Sequence, residues 1–240
     1  MKEGISMKRI HSLTVALLAA FLLAGCGAGS TTTPPAASAA PAATVQDVGP
    51  MHRNGSNKAL VVYFSYPENT DAAGFTDATA SASVQQKDGT VIGNTALVAD
   101  MISRHTGSDL FSIRPEKPYP ANYDETVAIG REEERNHARP PLTSALSNLD
   151  EYDTIFLGYP NWWGDMPMAL YTFLDTYDLS GKTVIPFVTS GGSGFSDTER
   201  AIKESEPGAT VLPGLALGYS QLPAADTAVV EWLRNLGYGR

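Results

Sequence analysis

Cysteine is almost missing from this chain: its 240 residues hold one, Cys26. A single thiol excludes an intrachain disulfide framework and a cysteine-rich zinc site. Histidine is scarce too, and the residues at 11, 52, 105 and 137 show no ligand spacing, so no metal site is expected. Positive charge is in deficit, with 17 Lys and Arg against 26 Asp and Glu for a formal net charge of −9. No basic stripe with interleaved aromatics appears, which argues against nucleic acid as a partner. Nor does any apolar run reach the ~20 residues of a comfortable membrane span. What is present is an ordinary globular composition, 42% hydrophobic and 18% charged, enough for a sizeable core.

The longest apolar run, TVALLAAFLLAG at 14–25, follows Lys8, Arg9 and His11 and has the length of a signal-peptide core. Met7 opens a better basic leader than the acidic MKEG before it. The run ends in Leu23-Ala24-Gly25-Cys26, which resembles the lipobox of bacterial lipoproteins, where the thiol receives a diacylglyceryl group. Residues 1–25 are therefore expected to be a lipoprotein signal peptide. Cys26 is the expected lipidation site, tethering an exported protein to the bacterial cell envelope through more than one acyl chain. Residues 26–57, rich in Ala, Pro, Ser and Thr and without apolar periodicity, read as a disordered tether with an rms reach of roughly 30 Å. The domain proper is expected over 58–240.

Within it, KALVVYFS (58–65), DTIFLGYP (153–160) and KTVIPFVTS (182–190) are continuous apolar runs of the kind buried on both faces of a parallel sheet. DLFSIRP (109–115) and TVLPGLALG (210–218), the latter bent at Pro213, complete five strands. Helices are predicted over 95–107, 121–140, 166–179, 195–205 and 224–237, the second charged and mainly exposed, the fourth with Ser196 and Asp197 as N-cap candidates. Five alternations of strand and helix predict an α/β doubly wound three-layer sandwich around a five-stranded parallel sheet. Ligands of such sheets sit outside the carboxyl ends of the strands.

Three loops fall at that edge. Ser65 ends the first strand, and Gly93-Asn94-Thr95 opens the first helix, where unpaired N–H groups and the helix dipole suit a phosphate and Gly93 lets it approach closely. The rival copy Asn69-Thr70 lies between Glu68 and Asp71, which would repel a dianion. After the fourth strand comes TSGGSGFSD (189–197), which lacks the final glycine of either a nucleophile elbow or a dinucleotide fingerprint. Its Ser190, Gly191, Gly192, Gly194 and Phe195 suggest backbone amides turned toward a ligand. After the third strand, Pro160, Asn161, Trp162, Trp163 and Gly164 put two indoles on a turn, where a flat apolar ligand could stack while backbone groups of Asn161 and Gly164 meet its polar edge. Plain N-caps, a flexible loop and core-packed indoles are the competing readings. A phosphate tail and a planar ring together describe FMN.

These residues resemble the flavodoxin family over nearly all of 58–238: VVYFS (61–65), then GNT (93–95), then GYPNWWGDMP (158–167). The resemblance implies strand order 2-1-3-4-5, with the flavin ring held by loops matching Pro160 to Gly164 and Ser190 to Phe195. It further implies electron transfer as the task, with redox donor and acceptor proteins or small molecules, NAD(P)H or quinones among them, as partners. An insertion at 66–92 splits the phosphate motif, and its VQQKDGTVI (84–92) reads as a hairpin turning at Asp88-Gly89. The catalytic residues are not assigned; Tyr66, Tyr119 and His137 are candidates to lie near the ring, and Asp165 to lower its potential. A surface lipoprotein that binds a phosphorylated or aromatic ligand without redox turnover is the other reading of the same pocket.

Overall fold

The computed structural model describes residues 59–70, 83–87 and 90–238. The expected signal peptide, Cys26, the tether and the Asp88-Gly89 turn lie outside the described residues. No described helix is long and apolar enough to cross a membrane.

The chain opens with β1 (Ala59–Tyr63) and a 3-10 turn at Pro67–Asn69, followed by the hairpin strands β2 (Val84–Lys87) and β3 (Thr90–Gly93). Then come α1 (Asn94–Thr106), β4 (Asp109–Ser112), α2 (Tyr123–Arg135), β5 (Thr154–Pro160), α3 (Met168–Thr176) and β6 (Thr183–Ser190). The last elements are α4 (Thr198–Ser205), β7 (Thr210–Val211), β8 (Leu215–Gly218) and α5 (Ala225–Asn235). The main sheet runs β4-β1-β5-β6-β7, with β8 also on β6, and every pairing in it is parallel. Setting the hairpin aside, this is the order 2-1-3-4-5.

Two-sided burial explains the apolar runs. Leu60, Val62 and Phe64 point into the core layer formed with Leu170, Phe173 and Ile202 of α3 and α4, while Val61 and Tyr63 alternate into the layer formed with Val98, Ile102, Val229 and Leu233 of α1 and α5. The helices read as expected: α1 keeps its expected length but starts and ends one residue earlier, α2, α3 and α5 are shorter at both ends, and α4 is shorter at its start. α1 stops at Gly107, whose φ of 74° is the left-handed cap conformation and whose N–H donates to Ser103 O. In α2, the Asn122 side chain accepts from the Glu125 N–H, with Asp124 and Glu125 at the positive end of the dipole.

Two local expectations are corrected. The fifth strand is two strands, β7 and β8, interrupted at Leu212-Pro213-Gly214, not one bent strand. Both flank β6, whose Pro186 lies between the two pairings, so a residue without an N–H is tolerated beside an interrupted neighbour. At α4, Asp197 holds the N-cap position but makes no capping bond; its carboxylate pairs with Arg200 instead, and Ser196 is in a left-handed conformation with φ 51°. The insertion does contain the hairpin: β2 and β3 are antiparallel, with Val84 opposite Gly93 and Gln85 opposite Ile92.

Candidate functional site

The carboxyl ends of β1, β5 and β6 meet the start of α1 at one edge of the sheet. Ser65 lies two residues past β1, fully buried, and its Oγ has no hydrogen-bond partner among the described residues. Gly93 packs so close that a Cβ there would collide with Ser65 Oγ and come within 2.9 Å of Pro67 Cδ. Asn94 and Thr95 are buried beside it, and the Thr95 hydroxyl is 2.8 Å from that of Thr189 at the end of β6. The α1 N-terminus carries no side-chain cap. Its Asn94 N–H donates to Ser83 O of the insertion at 2.9 Å, and the other amides of the first turn have no intrahelical acceptor. Ser65, Gly93, Asn94 and Thr95 thus come together as a cradle. The rival pair does not compete for it: Asn69 is buried, with its amide donating to Ser65 O (2.9 Å) and Ile113 O (3.2 Å), and the Thr70 hydroxyl donates to Pro67 O.

Beside the cradle lies a cleft of about 300 Å³, at the lower end of the size of small-molecule pockets. Pro160, Asn161, Trp162 and Trp163 line it from the β5 loop, and Thr189, Ser190 and Gly191 from the β6 loop. The two indoles differ. Trp162 is half-buried and meets Tyr119, Phe64 and Tyr66 edge-on, with ring centroids 5.2, 5.5 and 6.1 Å away. Trp163 is 50% exposed, with a positive φ of 57° and its indole N–H donating to Val127 O of α2 at 3.2 Å.

The remaining loop residues do something other than expected. The N–H groups of Gly192 and Gly194 donate inward to Ser190 Oγ (3.2 and 3.1 Å), so this loop is braced by a serine and does not offer those amides outward. Phe195 leaves the cleft and packs on the core, touching the space that Gly214 leaves open. The backbone N–H of Asn161 donates to Thr189 O, and that of Gly164 to Asn161 Oδ1, so neither is left for a ligand. Asn161 instead ties the two loops together, its Nδ2 donating to Gly194 O and Ser196 Oγ. Asp165 Oδ1 accepts from the Met166 N–H and the Tyr171 hydroxyl and is not part of the lining.

Of the three ring-neighbour candidates, Tyr66 lines the cleft, with its hydroxyl donating to Pro120 O. Tyr119 supports Trp162 from beneath. Its hydroxyl donates to Glu133 at 2.8 Å; burial pushes both the phenol and that carboxyl above their usual ranges, and the carboxylate pushes the phenol further. His137 follows α2 at φ 48° and is not in the lining.

Sequence reasoning missed one wall. Tyr123, Thr126, Val127 and Gly130 of α2, with Ser83 of the insertion, complete the lining. Gly130 is the signal that could have found it: glycine is costly inside a helix, and here a Cβ would press on the Trp162 ring at 3.2 Å.

The flavodoxin family profile matches residues 87–236. The chain belongs to the flavodoxin family. Among solved structures, a candidate flavoprotein from Bacteroides uniformis ATCC 8492 is 31% identical over 75% of this chain and 99% of its own, with a TM-score of 0.57. A second, from Bacteroides eggerthii DSM 20697, is 28% identical over 75% of this chain and 98% of its own, with a TM-score of 0.56. No curated protein matches. FMN is the cofactor of this family, and the site fits it. A buried hydroxyl without a partner and a position where any Cβ would fill the space sit at an uncapped helix start, as a phosphate requires. An aromatic-lined cleft opens beside them.

Proposed function

We propose that this flavodoxin-family chain is an FMN-dependent electron-transfer protein that works outside the cytoplasm, held to the bacterial cell envelope through lipidated Cys26. The observation that carries the redox reading is the convergence, on one sheet edge, of the Ser65–Gly93–Thr95 cradle and the Trp162 cleft. Bound FMN supplies the electron chemistry, and the protein supplies position and environment. Ser65 Oγ and the first-turn amides of α1 would hold the phosphate. Trp162, Tyr66 and the α2 face of Val127 and Gly130 would enclose the ring and exclude water from it, while the Asn161 bridge keeps the two loops at a fixed spacing.

Redox proteins, NAD(P)H and quinones are the partner classes this reading admits. The export reading is supported by Leu23-Ala24-Gly25-Cys26 after a basic leader and an apolar run. Two experiments test the two halves. The purified chain should take up FMN with quenched flavin emission and be reduced and reoxidised reversibly without losing it. Binding without reversible reduction would favour a ligand-binding lipoprotein instead. Cys26→Ser should release the protein from membranes on fractionation; a variant that stays membrane-bound would contradict the anchor.

A further inference from the structure

We propose that a second cavity, on the other side of α2 from the cleft and framed by Lys117, Tyr119, Glu133 and Pro140, is a binding site for a small monocarboxylate with an apolar body. It goes beyond the redox reading and does not depend on it, because the cavity and the cleft share no lining residue.

The cavity measures about 290 Å³, room for a single ring or a short alkyl chain. Helix α2 divides the two spaces: Val127 and Gly130 line the cleft, whereas Ile129 and Glu133, one turn apart, line the cavity. The other walls are two proline-rich segments, 115–120 and 138–141. They are joined where the Glu116 N–H donates to Pro141 O at 2.8 Å, and prolines at 118, 140 and 141 restrict their backbones. The frame is preformed and much of its surface is apolar.

Three charged side chains share this lining, and they are not equally committed. Arg139 is taken: it pairs with Asp175, donates to the carbonyls of His137 and Ala138, and lies 5.0 Å from the Tyr171 ring centroid. Lys117 has no hydrogen bond or ion pair among the described residues, although its charge acts on Glu133. Glu133 accepts the Tyr119 hydroxyl on Oε2 at 2.8 Å, while Oε1 has no partner among the described residues. Burial raises its carboxyl above the usual range, so it takes up a proton more readily than a surface glutamate. A desolvated acid beside an uncommitted cation, both lining one cavity, marks a ligand site.

Charge decides the class of ligand. A carboxylate between the two would pair with Lys117 and accept a hydrogen bond from Glu133 protonated on Oε1, leaving the bond from Tyr119 to Oε2 in place. One proton is taken up from solution, and one anion and one cation are left in contact. An ammonium ligand would instead enter beside Lys117 and Arg139 as a third cation.

Benzoate, benzamide and benzylamine present one ring with an anionic, a neutral and a cationic group. Their affinities for the full chain, with and without FMN, can be measured by equilibrium dialysis and ligand-observed NMR. Benzoate should bind roughly two- to fivefold more tightly than benzamide, to the same degree with and without FMN. Its affinity should rise as pH falls from about 8 to about 6. Lys117→Gln should remove the preference for benzoate. Glu133→Gln, whose amide donates without taking up a proton, should keep benzoate binding and lose its pH dependence. Thermal melts show whether each variant is folded. Tighter binding of benzylamine would overturn the proposal, as would equal affinities for benzoate and benzamide in the parent chain, displacement of benzoate by FMN, or a preference that survives in a folded Lys117→Gln variant. A chain that takes up no FMN would defeat the redox reading and leave this test intact.

Discussion

The two ends of the cleft are built differently. At the cradle, Ser65 and Asn94 are wholly buried, Thr95 nearly so, and Gly93 leaves no room for one more carbon. At the mouth, Trp163 is half exposed on a left-handed turn and is held to α2 by its indole hydrogen bond to Val127 O and by the Arg131 guanidinium stacked over its ring. One end is fixed by a glycine backbone packed against buried side chains, and the other by side chains reaching across loops. The proposed function would use this division: close packing where the cofactor phosphate never changes, and an open mouth where partners would arrive.

The cradle should be the more easily broken. Gly93 has φ −69° and ψ 138°, which alanine adopts without strain, so Gly93→Ala isolates the steric collision with Ser65. Overpacking of this kind costs about 1–3 kcal/mol, so FMN affinity should fall by roughly 5- to 150-fold. Flavin-emission titration checks it, and an unchanged affinity would mean the phosphate does not sit there.

At the mouth, Asn161→Ala removes both bonds from its amide and the one it accepts from Gly164. Because these bonds are partly exposed, a smaller loss of about 1–2 kcal/mol in urea-unfolding stability is expected, with FMN affinity reduced less than by Gly93→Ala. The reverse ranking would invert the comparison.

The smallest effect concerns the support beneath the mouth. Burial holds the Glu133 carboxyl above its ordinary value near 4.5, so the folded chain binds that proton more tightly than the unfolded chain does. The stabilising contribution is complete below the unfolded value and is lost as pH rises through the folded one. Glu133→Gln lacks this loss, so its melting temperature relative to the parent should climb across that window. A flat difference would show that Glu133 is solvated as fully in the folded chain as in the unfolded one.

Much of the fold was legible because burial on both faces leaves a mark that needs no partner to be seen: ALVVY in β1 and TIFLGYP in β5 are buried at every position. The cradle was legible for a similar reason, since a glycine before a helix start is a local signal. What escaped depends on contacts distant in sequence. The interruption between β7 and β8 reflects the fit of Gly214 against Pro186 and Phe195. Pro213 signals a bend, but no local pattern reveals that fit. The amides of the glycine-rich loop looked free because the Ser190 hydroxyl that takes two of them has many equivalent uses in a sequence. The α2 wall was hidden by its own charges: Arg131 to Arg135 read as a solvated face, while Thr126 and Gly130 turn inward.

The central claim, that a phosphate and a flat ring are gripped at one sheet edge, is tested most directly by titrating the chain with FMN and with riboflavin, which has the same ring and no phosphate. Tighter binding of FMN, with the advantage shrinking in Gly93→Ala, is the predicted result. Equal binding of the two flavins, or binding of neither, would contradict it.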